Sequence, residues 1–547
     1  MHPAGIVAAP LTLRDNYGTL ISDGKEILQI DMDGVHEANL AKYDILGLKN
    51  IQIIKNAYEL LNKPYPKSYE IDWNDQNVWA DMLRSPVGVF QFEGEFAFSM
   101  LRQFKPTSIF DMSLVTACIR PSGASYRDQL LKRIPHKNPS PMIDDLLKEN
   151  LGYIVYQEDS LKFLQQICGM SGSESDNVRR GIARKQKDRL DAALPAILEG
   201  YCAKSPQPRE IAEQEAKEFL QIIEDSASYQ FGYNHSVSYC LIGYLCAYLR
   251  YYHPAEFITA YLNNADGEDD VKSGSELAEA YGIKIVPPRF GLSKDQYIYD
   301  KNSGVIAKGI ASVKYLNSAV ANELYQIAHE NNIKSFMDLL KLIAKRSSLD
   351  VRQRDILIKI DFFREFGNIP TLSRIVSFFT MLKGGEAKKI QKSKITGSMA
   401  DIIVGFATDK NKSGQDAKFY TITDMDGLLN ACEQAVRELN LPDLDLKIKI
   451  QNQIENLGYA DVTTGKQEDR RKLLIEGVTP LKNKETGNSW GYALNAKSIG
   501  SGKTARLTVR ERVYRDAPVR KGDIIFAKDF RRNQKGYWYL TAYTRFA

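Results

Sequence analysis

Apolar residues recur at spacings of three and four from about Lys49 to Asn264, as in "LLKRI", "IVYQEDSLKFLQQI" and "SYCLIGYLCAYLRYY". That period predicts a mainly helical region. Ahead of it, "HPAGIVAAP" (His2 to Pro10) reads as a short buried strand and "KEILQIDMD" (Lys25 to Asp33) as a second. "AKYDILGL" reads as a third strand, running into a helix at about Lys49 to Leu61. The acidic stretch "NNADGEDDVKSG" (Asn263 to Gly274) predicts a boundary, followed by strand-like "IKIVPP" and "QYIYD" and helices to about Phe366. Residues 375–465 are uneven in pattern, with "KGGEAKKIQKSKITGS" the most linker-like piece. After Gln467 the period changes. "KLLIEGVTPL", "SWGYALNA", "TARLTVRERVY", "KGDIIFAKDF" and "YWYLTAYT" alternate and are separated by Gly, Asn and Pro, which predicts a small five-stranded barrel.

At 547 residues the chain is too long for one hydrophobic core, so these blocks are read as separate domains of a multidomain α+β protein. No apolar run reaches the roughly 20 residues that span a bilayer, and no signal-peptide pattern opens the chain; a cytoplasmic protein without a membrane partner is expected. The six cysteines lack CxxC spacing and read as reduced, buried thiols. Net charge is only +5, so the clustering of basic residues matters more than their sum.

Three segments can carry chemistry. In "SESDNVRRGIARKQKDRL", Arg179, Arg180, Arg184, Lys185, Lys187 and Arg189 fall within eleven residues. They read as a solvated basic helix or as contacts to phosphate, where arginine bonds bidentately. In "FGYNHSVSYCLIGYL", Asn234, His235, Ser236 and Ser238 crowd the start of an apolar helix. They read as capping residues or as an anion site. "CIRPSG" ends a helix at Pro121 and projects Arg120 from a turn. Two lookalikes are set aside. "GSGKT" (Gly500 to Thr504) has Lys497 where a phosphate loop needs glycine, and reads as a hairpin turn. Asp31 and Asp33 of "IDMDG" read as a strand-end turn in preference to a metal pair. Asp44 stands apart, a carboxylate between Tyr43 and an Ile-Leu-Gly-Leu run, costly to desolvate unless a cation faces it.

In this order "HPAGIVAAP", "KYDILGLKN", "VGVFQFEGEFAFSMLRQFKPTSIFDMSLVTACIRPSG", "LGYIVYQEDSLKFLQQICGMSGSESDNVRRGIARK" and "FGYNHSVSYCLIGYLCAYLRYYHPAEFITAYLN" resemble the bacterial DNA polymerase III alpha subunit family. The likeness is dense over about 2–290. It implies a C-family DNA-directed DNA polymerase, a two-metal nucleotidyltransferase using Mg2+, with template-primer DNA and dNTPs as its partners. It divides the chain into the end of a palm (1–50), fingers (51–268), a helix-hairpin-helix-like duplex-binding region (269–375), an uncertain linker (376–465) and an OB-fold-like barrel (466–547). Asp44 matches the family's third catalytic, metal-binding aspartate and Lys42 a lysine beside the triphosphate. Arg120, Arg179, Arg180, Lys185, Asn234, His235 and Ser236 match nucleotide contacts. Arg184, Lys187 and Lys308, with Arg506, Arg510, Arg512 and Trp538 of the barrel, are the expected DNA contacts.

The departures carry equal weight. The family's Asp-x-Asp pair precedes its "HPAG"-like segment and is not in this sequence, so one half of a split enzyme is expected, partnered by an N-terminal polymerase portion. A non-catalytic DNA-binding remnant is the alternative. The family's Asn-Lys-Ser-His-Ser is shortened to Asn234-His235-Ser236, which shifts the register of those contacts. In "KGIASVKYLN" (Lys308 to Asn317) the hairpin glycines are replaced by Tyr315 and Asn317. A sliding clamp is a further candidate partner, although no clamp-binding peptide stands out.

Overall fold

The computed structural model describes residues 5–22, 24–44, 47–119, 126–183, 185–226, 230, 232–311, 313–395, 398–410, 415–461, 463–483, 487, 489–533 and 536–546. Its contacts separate into two units, Met1–Tyr281 and Gly282–Ala547.

The first unit opens with β1 (Gly5–Ala8), β2 (Thr19–Ser22), β3 (Lys25–Leu28) and β4 (Ala41–Asp44). They form two antiparallel ribbons, β1 with β4 and β2 with β3. Gly5 lies opposite Asp44 and Val7 opposite Lys42. The expected buried strand is instead open on one side, where Ile6 and its cross-strand partner Tyr43 are 54% and 59% exposed. The second expected strand stops at Leu28, because Asp31 accepts a hydrogen bond from the Gly34 N–H (2.9 Å) and caps the helix Met32–Glu37. That carboxylate caps a helix rather than closing a strand-end turn.

The helix Lys49–Leu61 forms where the period predicts it. Asn50, Ile53, Ile54, Ala57 and Tyr58 share one buried stripe, packed on the helices Tyr233–Tyr252 and Pro254–Asn263. Tyr233–Tyr252 is the axis of the unit, also touching Gln76–Met82 and Ile109–Ile119. Gly243 permits that approach, since a Cβ there would lie 3.0 Å from Met112 Cε and 3.4 Å from the Phe90 carbonyl oxygen. Near its C-terminal end the helix buries Arg250, 1% exposed. Its Nε donates to Asp81 Oδ2 (3.0 Å), Nη2 to the Asp81 carbonyl (2.9 Å) and Nη1 to the carbonyls of Ser85 (2.9 Å) and Val87 (2.8 Å). Tyr281 donates to the other Asp81 oxygen (2.6 Å).

The acidic stretch read as a boundary lies inside this unit. Glu268, Asp269 and Asp270 form the first turn of the helix Glu268–Ala280, where negative charge suits the helix dipole. Lys49 bridges Asp266 and Asp270.

In the second unit β5 (Lys284–Val286), β6 (Ile298–Asp300) and β7 (Val305–Ala307) form a sheet of order β5-β7-β6. The helices Ser318–Glu330, Phe336–Arg346, Val351–Lys359 and Ile369–Met381 follow, then β8 (Lys389–Gln391), β9 (Ala407–Lys410) and β10 (Asp416–Ile422) in the order β8-β10-β9. The described residues within 376–465 form helices and strands rather than a linker. The helix Met425–Glu438 sends Leu428, Leu429, Cys432 and Val436 into the core that holds Leu339, Leu340, Ile375 and Phe379. Its buried Glu433 accepts from the N–H groups of Phe336 (3.2 Å) and Met337 (2.8 Å), capping a helix nearly a hundred residues away in sequence.

The last five strands are β11 (Lys472–Lys482), β12 (Ser489–Ser498), β13 (Thr504–Arg510), β14 (Ile524–Arg532) and β15 (Trp538–Arg545). They close into a barrel of order β11-β12-β13-β15-β14. "GSGKT" is the β12–β13 connection, as expected, whereas the third predicted strand ends at Arg510 and Glu511–Asp516 is helical. Before the barrel, Asp461 joins β7 to β12. Its Oδ2 meets Lys308 Nζ (2.8 Å), its Oδ1 meets Lys497 Nζ (2.5 Å), and its N–H donates to Gln453 Oε1 (2.7 Å). Burial opposes ionisation of Asp461, but the two ammonium groups outweigh it and hold the carboxyl well below the usual range.

Arg250→Met leaves Asp81 buried without its counter-charge, and a loss of about 3–5 kcal/mol is expected in urea unfolding of the whole chain. Asp461→Asn is expected to cost about 2–3 kcal/mol at pH 7. Because the folded-state value of Asp461 is depressed, that contribution is complete above its unfolded value near 4 and fades as pH falls further. The gap between wild type and Asp461→Asn, read from chemical denaturation at pH 7, 4 and 3, is therefore expected to narrow on acidification.

Candidate functional site

The N-terminal half of the helix Tyr233–Tyr252 is two-sided. Ser236, Cys240, Gly243, Tyr244 and Ala247 face the core, while Asn234, His235, Ser238, Tyr239 and Ile242 repeat at three and four on the other side. This second stripe, with Leu48, lines a cleft of about 360 Å³. That is room enough for a small molecule. Leu48 caps the helix Lys49–Leu61 and stands four residues beyond Asp44. One wall is aromatic, with the His235 and Tyr239 rings 4.3 Å apart edge to face and Tyr239 5.1 Å from Phe90.

The first-turn donors of this helix are partly taken. The Tyr233 N–H donates to Glu158 Oε2 (2.9 Å) and that of His235 to the Asn234 side chain (2.7 Å). A carboxylate thus already sits at the positive end of the dipole. Ser236, expected in the site, is fully buried. Its hydroxyl accepts from Ser113 Oγ (2.8 Å), which lies 2.6 Å from the Tyr156 hydroxyl. Ser238, two residues on and exposed, lines the cleft instead. The three-and-four spacing from Asn234 was the available signal for it.

The basic segment divides by partner. Arg179 is 18% exposed and donates to Asp176 Oδ1 (3.1 and 2.8 Å) and to Gln157 Oε1 (3.1 Å), bracing the helix Gly172–Ala183 against Gln157–Lys162. Arg180 meets the other Asp176 oxygen (2.8 Å) but stays 60% exposed. Hydrogen bonds from Arg179 lead the causes that hold the Asp176 carboxyl low. Lys185, with φ +56°, and Lys187 are exposed at the turn between two helices. Arg120 and Arg184 lie outside the described residues.

Asp44 closes β4 and Lys42 sits half-buried within it; the Asp44 side chain is outside what the structure describes. Among the described residues no three His, Cys, Asp or Glu side chains group to hold a metal. A magnesium site uses one or two carboxylates together with substrate phosphates.

In the second unit, Lys308 is held by Asp461 with its ammonium 4.1 Å from the Tyr459 ring centroid, so it is a structural cation rather than an open duplex contact. On the barrel, Arg506 and Arg510 stand on β13 opposite Asn495 and Gly491 of β12, and both are exposed, as is Arg512. Trp538, 44% exposed, lies edge-on to Phe530 (6.3 Å) with Arg532 5.7 Å over its ring. Tyr492 turns inward to stack on Tyr514 (3.7 Å), while Trp490 and Tyr537 remain outside. No helix among the described residues is long and apolar enough to cross a membrane.

Comparison with known proteins gives these surfaces a context. Residues 50–205 match the bacterial DNA polymerase III alpha subunit finger domain. The chain is similar to DNA polymerase III subunit alpha of Treponema pallidum, 30% identical over 392 residues that are 67% of this chain and 32% of that protein. The Borreliella burgdorferi protein of the same name is 30% identical over 420 residues, 73% of this chain and 35% of that protein. That of Bacillus subtilis is 27% identical over 380 residues, 67% and 33%. The chain spans about a third of the length of these relatives, and by its finger domain and two thirds of its own length it corresponds to a portion of a bacterial-type DNA polymerase III alpha subunit.

Proposed function

We propose that this chain is the nucleotide- and DNA-gripping part of a replicative DNA-directed DNA polymerase, acting with a polymerase region that carries an Asp-x-Asp pair. The observation that carries the reading is the cleft. It brings Leu48, just past the Asp44 strand, against Asn234, His235 and Ser238, beside a finger-family helical region. In this reading the incoming dNTP lies along the cleft, with the His235–Tyr239 wall against its base or sugar. Arg180, Lys185 and Lys187, with Arg120 and Arg184, meet phosphates, and Arg179 positions Arg180 through Asp176. Lys42 stands beside the triphosphate.

Asp44 would supply one carboxylate of a magnesium centre, and the metal bound there would provide Lewis-acid activation of the primer hydroxyl and of the leaving pyrophosphate. The barrel has the five-stranded form of an OB-fold, whose second and third strands present nucleic-acid contacts. Its exposed Trp490, Tyr537 and Trp538 beside Arg506, Arg510 and Arg512 suit stacking and backbone neutralisation of a single strand.

Primer extension with magnesium tests the proposal. Extension is expected when a relative's N-terminal polymerase portion is added, and Asp44→Ala is expected to lower its rate at least a thousandfold. Robust extension by this chain alone would overturn the division of labour. DNA binding without extension in the mixture would leave a non-catalytic DNA-binding part. In the active mixture, Ser238→Ala is expected to raise KM for dNTP about five- to tenfold with an unchanged Tm. Ser236→Ala is expected to lower Tm with KM unchanged.

A further inference from the structure

The turn between β7 and the helix Ser318–Glu330 holds an aromatic residue in an unfavourable backbone state. Tyr315 has φ +66°. A bulky side chain adopts that region rarely, and it persists there only where the surroundings over-determine it. They do so here. The Tyr315 carbonyl accepts from Gln353 Nε2 (2.6 Å), and the Lys314 N–H donates to the Asn456 carbonyl (3.1 Å). Asn317 caps the helix that follows. Val313 and Leu316 are buried, 2% and 8% exposed, and pin the turn from both sides.

The ring so placed is not buried in return. It is 56% exposed, and one face is covered by the Arg352 guanidinium, 3.4 Å from the ring centroid. Arg352 is itself exposed. Exposed Lys314 precedes Tyr315 in the chain.

We propose that Tyr315 and Arg352 form a stacking platform for an unpaired base of single-stranded DNA. The inference rests on the DNA-binding reading above and adds a contact distinct from the barrel and the cleft. A rigid aromatic plane backed by a guanidinium is the arrangement on which bases stack irrespective of sequence, with the guanidinium neutralising the adjoining phosphates. Duplex DNA is the poorer fit. Its bases are already stacked, and a tyrosine at the tip of the turn keeps the backbone away from duplex phosphates where glycine would admit it.

The test uses the full chain and a single-stranded oligonucleotide bearing one 5-iododeoxyuridine, irradiated and mapped by mass spectrometry, alongside anisotropy with the unmodified strand and a blunt duplex. An adduct at Tyr315 is expected, retained in Tyr315→Phe. Tyr315→Gly suits the positive φ, so Tm is expected to hold or rise. That variant is expected to lose the adduct and to bind the single strand at least about fivefold more weakly, with duplex binding unchanged. Arg352→Gln is expected to weaken single-strand binding and flatten its salt dependence. Single-strand binding by wild type that is equal in Tyr315→Gly, with adducts only elsewhere, would overturn the platform while leaving the DNA-binding reading intact. No DNA binding by wild type would overturn both. A ring protected only when another protein chain is present, and never by DNA, would also overturn it and assign the surface to a protein contact.

Discussion

A single buried guanidinium organises the first unit. Arg250 meets both the side chain and the carbonyl of Asp81 and the carbonyls of Ser85 and Val87, while Tyr281 takes the remaining Asp81 oxygen. Desolvating one ion pair seldom stabilises a protein by itself. Here the pair also donates to the part-buried carbonyls of Ser85 and Val87, and it draws together residues 169 and 200 positions from Asp81. With its C-terminal half locked in this way, the helix Tyr233–Tyr252 has one orientation. Its N-terminal half must then present Asn234, Ser238 and Tyr239 away from the core.

The candidate site follows from that orientation. Ser236 and Ser238 are chemically equivalent and two residues apart, yet one is sealed in a hydroxyl chain with Ser113 and Tyr156 and the other lines a cleft. Arg179 and Arg180 are adjacent and share Asp176, yet the first is consumed in bracing two helices and the second points outward. The second unit uses the same device at Asp461, where two lysines converge on one carboxylate and tie a small sheet to the barrel. Such charges are spent on architecture, and the solvent-facing neighbours are left for ligands.

Local pattern made much of this legible. Periodicity located Lys49–Leu61, the long Tyr233–Tyr252 helix and five barrel strands, because each buries a face whose repeat is written in consecutive residues. The GSGKT turn was legible as well, since its glycines lie between two alternating runs. What escaped were features set by distant partners. The acidic stretch after Asn264 looks like a boundary until Lys49 is seen to hold Asp266 and Asp270. Residues 376–465 look like a linker until Glu433 caps a helix beginning at Phe336 and Leu428 to Val436 enter its core.

The amino-acid order alone thus determined the long helices and barrel strands, the basic and aromatic segments, and the family resemblance carried by "KYDILGLKN", the finger helices and "FGYNHSVSYCLIGYL". Tertiary structure decided which of those residues are available. Lys308 carries the same charge as Lys185 and Lys187, but only folding brings Asp461 to it, and a neutralised, half-buried ammonium no longer serves a phosphate. Tyr315 reads as a lost glycine in the chain; the fold, by setting its φ and laying Arg352 on its ring, turns it into an exposed surface. The reason is the same in both cases. Charge and aromaticity belong to single residues, whereas desolvation and pairing belong to neighbourhoods that only the folded chain assembles.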